Sequence, residues 1–78
     1  MIFEKIRSLL AEQMDVEKEQ ITLETNIVDD LNADSLDVVE LMTAMEEEFG
    51  IVIADERVHN LRTIGEITEF IEEVLENM

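Results

Sequence analysis

Asp34-Ser35-Leu36-Asp37-Val38-Val39-Glu40-Leu41-Met42-Thr43-Ala44-Met45-Glu46-Glu47-Glu48-Phe49-Gly50 is the stretch whose reading decides the fold. Asp34 is an N-cap residue type with Asp37 three places on, and Gly50 stands where a left-handed residue closes a helix. The spacing therefore predicts a helix over residues 36–49. At about 100° per residue, Val38, Leu41, Met42, Met45 and Phe49 fall within an arc of roughly 100°, a stripe to be buried. Leu36, Val39, Glu40, Thr43, Glu46 and Glu47 lie on the other side, mixing acid with two large apolar residues beside Ser35. Apolar residues ringed by carboxylates suit a face that docks a partner.

Outward from this helix the same periodicity recurs twice. Phe3, Ile6, Leu9, Leu10 and Met14 predict an amphipathic helix over residues 2–14. Thr63 and Glu66 form a capping box for a last helix, with Ile64, Ile67, Phe70, Ile71, Val74 and Leu75 on its apolar side. Residues 55–60 read as a short helical piece offering Val58, with Leu61 just beyond, to the core. Residues 15–34 lose the pattern, but Val16, Ile21, Leu23, Ile27, Val28 and Leu31 can pin them to the core as a packed loop containing one helical turn. With no proline, two glycines and no strand-like alternation, the expectation is all-α. The architecture expected is an irregular four-helix bundle: three longer helices, one short one and a long first loop.

Seventy-eight residues make one domain, 1–78, near the lower limit for a self-sustaining core and too small for a large catalytic cleft. The absence of cysteine removes disulfides and thiolate metal sites. Five Lys plus Arg against 21 Asp plus Glu give a net charge of -16. That balance excludes binding to nucleic acid phosphates and disfavours anionic membrane surfaces; partners with basic patches are expected. No apolar run reaches signal-peptide or membrane-span length, so a cytoplasmic, soluble monomer without membrane insertion is expected.

Ser35 lacks what a catalytic nucleophile needs. The single histidine, His59, is remote in sequence and reads as a surface or capping residue, and no Gly-x-Ser-x-Gly elbow surrounds the serine. The chain is therefore read as no enzyme. Asp30, Asn32 and Asp34 match the first ligands of a calcium-binding loop, but Ser35 replaces the turn glycine and Leu41 the final glutamate. No defined metal site is expected, leaving an acidic calcium-binding or adaptor protein as a remaining alternative. Between Lys18 and Arg57 no basic residue occurs, and Glu46, Glu47 and Glu48 crowd a helix C-terminus, where the macrodipole disfavours anions. A sequence tuned for stability alone would place cations there. At the other end, exposed backbone N–H groups favour a phosphate ester on Ser35, although Asp34 and Asp37 oppose it.

Asp30-Leu31-Asn32-Ala33-Asp34-Ser35-Leu36-Asp37, followed by Val39-Glu40-Leu41 and Glu46-Glu47-Glu48-Phe49, resembles the acyl carrier proteins of dissociated fatty acid synthesis. The likeness runs from the first helix to the Thr63 capping box. It implies that Ser35 accepts 4'-phosphopantetheine from coenzyme A through a phosphopantetheinyl transferase, and that acyl chains ride as thioesters on the terminal thiol. It also implies that Asp34, Asp37, Glu40, Glu46 and Glu47, with Leu36 and Val39, dock basic patches of fatty acid synthesis enzymes. The family shelters its acyl chain between helices, which makes Met42, Met45, Phe49, Ile53, Leu61 and Ile67 the candidate acyl pocket. A carrier of a dedicated polyketide or other acyl or aminoacyl pathway shares this attachment chemistry. Asn32 replaces the family's usual glycine and should tolerate a left-handed turn. Ala54 replaces a common proline, which should loosen the start of the short piece.

Overall fold

The computed structural model describes residues 2–53 and 56–77, with Glu56 and His59 described by their backbone alone. Three α-helices, α1 (Ile2–Met14), α2 (Ser35–Phe49) and α3 (Ile64–Glu76), are joined by a long loop and a shorter connection. A 3-10 turn occupies Lys18–Gln20 in the first and Glu56–Asn60 in the second. The all-α expectation holds. The three longer helices are as expected, and the short fourth member is a five-residue 3-10 segment rather than an α-helix. Such helices have poorer hydrogen-bond geometry and stay short, and this one contributes the buried Val58 to the core. The expectations for Ala54, for the start of the piece at Asp55 and for the His59 side chain lie outside the described residues.

Local chemistry sets each helix end. Asp34, in extended backbone, accepts the Asp37 N–H at 2.9 Å on Oδ1, while Asp37 Oδ2 accepts the Asp34 N–H at 3.0 Å. Thr63 and Glu66 form the corresponding reciprocal pair for α3. Gly50 closes α2 at φ 65°, and the following Ile51 N–H reaches back to the Glu46 carbonyl at 3.1 Å. α1 ends in the same way without a glycine: Asp15 adopts φ 55° and the Val16 N–H bonds the Ala11 carbonyl at 3.0 Å. Both are Schellman-type closures, in which one left-handed residue lets the chain satisfy carbonyls of the last turn.

α1 packs against both α2 and α3. Ile6 and Leu10 of α1, Leu41 and Met45 of α2, and Ile64, Ile67 and Ile71 of α3 are fully buried. Each such side chain contributes about 1.5–3 kcal/mol of burial free energy. The long loop joins this core through Ile21, Ile27 and Ala33. It is also stitched to the start of α3: Gly65 N–H donates to the Leu23 carbonyl at 2.8 Å and Ile64 N–H to the Thr25 carbonyl at 3.0 Å. Ile27 N–H returns a bond to the Arg62 carbonyl at 2.8 Å. First-turn donors of α3, which have no partner within their own helix, thus find acceptors in the loop. Gly65 makes the close approach possible, since a Cβ there would stand 3.1 Å from the Leu23 carbonyl oxygen.

Candidate functional site

Ser35 is exposed at the first position of α2. The turn before it is built from the loop: Asn26 Oδ1 accepts the N–H groups of Val28 and Asp29, both at 2.9 Å, and the Ala33 N–H bonds the Ile27 carbonyl at 2.9 Å. Asn32 sits at φ 58°, the left-handed backbone that its residue type tolerates. Gln13 of α1 donates to the Asp37 carbonyl at 2.7 Å, anchoring the first turn of α2 from beneath. Asp34 and Asp37 spend a carboxylate oxygen each on backbone N–H groups. Asp30 is occupied too, its Oδ2 accepting the Asn26 N–H at 2.8 Å.

A cleft of about 430 Å³ opens beside the serine, lined by Val28, Ala33, Asp34, Ser35, Val38, Val39 and Arg62. Its walls come from the loop, from α2 and from the residue just before the α3 cap. Arg62 is placed there by its own backbone, whose carbonyl takes the Ile27 N–H and whose N–H is held by Glu66 Oε1 at 2.8 Å. The same Oε1 accepts the Thr63 N–H at 3.0 Å. The Thr63 and Arg62 backbone donors hold the Glu66 carboxyl below the usual carboxylate range. Sequence reasoning missed Arg62, Val28 and Ala33 as neighbours of Ser35; the available signal was a cation standing directly before the Thr63 cap.

The expected docking residues divide in two. Leu36, Val39, Glu40 and Glu47 are exposed on α2, with Leu36 at 65% and Val39 at 49%. Glu46 is half-buried, and its Oε2 accepts the Ile53 N–H at 2.6 Å, fastening the segment that leaves α2. Glu48 pairs with Lys5 of α1 at 2.7 Å. Two of the three crowded glutamates thus have structural partners, and Glu47 makes no ion pair among the described residues. Of the expected acyl-pocket residues, Met42, Met45 and Ile67 are buried, while Phe49, Ile53 and Leu61 pack half-buried against the same core. None of these six lines the cleft at Ser35.

An exposed serine at a helix start, opening on a cleft with one cation in its wall, is suited to carrying a group. Residues 4–71 match the family described as phosphopantetheine attachment site, and the chain belongs to it: a carrier class, not a catalyst. Within that class its likeness is to acyl carrier proteins. A solved acyl carrier protein from Enterococcus faecalis shares 36% sequence identity over 94% of this chain and 92% of that one, with a TM-score of 0.78. The family's group, 4'-phosphopantetheine, joins the protein through a phosphate, and the residues beside Ser35 fit that requirement. An exposed hydroxyl, a largely apolar wall and Arg62, whose guanidinium also donates to the Leu61 carbonyl at 3.1 Å, line the same cleft. Among the described residues no helix is long and apolar enough to cross a membrane.

Proposed function

We propose that Ser35 Oγ is the attachment atom for 4'-phosphopantetheine and that the loaded chain carries growing fatty acyl groups as thioesters in dissociated fatty acid synthesis. The observation that carries this reading is the exposed serine at the start of α2, opening on its cleft. Neither Asp34 nor Asp37 is hydrogen-bonded to the Ser35 hydroxyl, and each directs one oxygen to a backbone N–H of the capping box instead. The proton must be removed by the modifying enzyme, a phosphopantetheinyl transferase. Ser35 Oγ attacks the coenzyme A phosphorus that bears pantetheine, the pyrophosphate P–O bond breaks, adenosine 3',5'-bisphosphate leaves, and Oγ becomes the bridging oxygen of a phosphodiester.

Leu36, Val39, Glu40 and Glu47 form the proposed docking face for basic patches of the synthesis enzymes, with Asp34 and Asp37 at its edge. The exposure of Asp34, Leu36, Val39, Glu40 and Glu47 supports that role, Asp37 being half-buried. Charge complementarity of this kind accelerates encounter and makes it salt-sensitive. Met42, Met45, Phe49, Ile53, Leu61 and Ile67 form the proposed acyl shelter. Support comes from their packing in one core and from the adaptability of the two methionines.

Incubation with coenzyme A, magnesium and a broad-specificity phosphopantetheinyl transferase tests the attachment, read by intact mass. The wild type is expected to gain the mass of the group and Ser35→Ala to gain nothing. An unchanged wild-type mass, or an equal gain in Ser35→Ala, refutes the assignment.

A further inference from the structure

The cleft beside Ser35 contains a side chain that neither carriage nor docking has used. Arg62 is one of five basic residues in a chain of net charge -16, and it lines the same cleft as Ser35. Its position is not left to a flexible loop. The Arg62 carbonyl accepts the Ile27 N–H at 2.8 Å, and the Ile27 carbonyl accepts the Ala33 N–H at 2.9 Å. Two backbone hydrogen bonds thus connect Arg62 to a residue two places before Ser35. On the other side, Glu66 Oε1 holds the Arg62 N–H at 2.8 Å, and the guanidinium, which carries several donors, gives one from Nη1 to the Leu61 carbonyl at 3.1 Å. Val28, Val38 and Val39 supply the apolar part of the wall, and Asp34 an acidic part.

A phosphopantetheine arm has a matching sequence of parts: a phosphodiester at the serine, then a carbon bearing two methyl groups, then amides. Resting on the Ser35 reading, we propose that this cleft is a seat for the first part of the arm, with Arg62 as the positioning residue for its phosphodiester and Val28, Val38 and Val39 packing against its paired methyls. A guanidinium presents fixed paired donors to phosphate oxygens. Here it also opposes the repulsion that Asp34, in the same wall, exerts on an anionic ester. The seat holds the root of the arm while the thiol end remains outside it.

The test uses the full chain before and after loading, with loading verified by intact mass. Isotope-labelled protein reports the Arg62 side-chain Nε–H resonance and the valine methyls, and phosphorus NMR reports the phosphodiester. On loading, the Arg62 Nε–H and the methyls of Val28, Val38 and Val39 are expected to shift, whereas the methyls of the exposed, distant Val52 stay fixed. Contacts between the arm's paired methyls and those valines should appear as nuclear Overhauser effects. In loaded Arg62→Gln the phosphorus resonance should move and these contacts weaken, with Arg62→Lys in between. The Arg62 side chain is exposed, so both variants should keep the wild-type circular dichroism. Loading confirmed by mass without movement of Arg62 or the three valines overturns the seat and leaves the attachment standing. Absence of any mass gain overturns the attachment and the seat with it.

Discussion

Glu46 carries a structural tie that its place on the acidic strip does not suggest, and replacing it tests that tie directly. Its carboxylate receives the Ile53 N–H at 2.6 Å across a partly buried gap. A hydrogen bond to a charged group contributes about 1.5–3 kcal/mol, and the orphaned donor in Glu46→Ala would lose it. Against this stands a gain, because removing an anion from a helix C-terminus returns roughly 0.3–1 kcal/mol. The partial exposure of the site favours the lower half of the bonding range, and the net expectation is a loss of about 1 kcal/mol. For a domain of this size that corresponds to a fall in Tm of roughly 4–8 °C. Glu47→Ala is the control: it removes the same charge one residue on, from an exposed position without an ion pair among the described residues, and should be neutral or slightly stabilising. Thermal and urea unfolding of the pair, with amide exchange at Ile53, provide the readouts. Equal stability of the two variants, or unaltered exchange at Ile53, would refute the stabilising role of the Glu46–Ile53 hydrogen bond.

Asp15→Gly should stabilise the chain by about 0.5–1 kcal/mol in urea unfolding, because glycine adopts φ 55° without side-chain conflict and an anion leaves the end of α1. Glu66 titrates below its usual range in the folded chain, so its contribution is complete above the unfolded value and disappears as pH falls through the folded one. Glu66→Gln should accordingly flatten the acid-side loss of Tm while leaving a smaller pH dependence from other carboxylates. Charge reversal at Glu40 or Glu47 should slow association with basic synthesis enzymes in stopped-flow measurements more than reversal at Glu24, and the gap should close in high salt. Equal slowing at all three positions would show that partners read net charge rather than a face.

Much of the fold was legible because the helix signals are local. Asp34 with Asp37, Thr63 with Glu66, and Gly50 each act within a few residues of themselves, and all three were found where the sequence put them. The tolerance of Asn32 for a left-handed turn was equally local. What escaped depends on contacts distant along the chain. The Glu46 acceptor looks like surface charge until Ile53 folds back onto it, and Glu48 gains its cation from Lys5 at the opposite end of the sequence. Arg62 is adjacent to the Ser35 cleft only because the loop bonds to the approach of α3. The end of α1 at Met14 was legible, but the left-handed Asp15 that closes it was not, because aspartate is a poorer marker of left-handed backbone than glycine.

The stitching of residues 23–27 to residues 62–65 also imposes an order in time. During synthesis Ser35 emerges well before Arg62, Ile64 and Gly65, so a partly made chain has its serine but lacks the far wall of the cleft and the donors that hold the loop. A transferase that requires the assembled turn would therefore ignore nascent chains and act on finished ones. Ribosome-bound chains whose own sequence stops before Arg62, tethered through a linker long enough to expose Ser35, should load more slowly than the complete chain on the same linker.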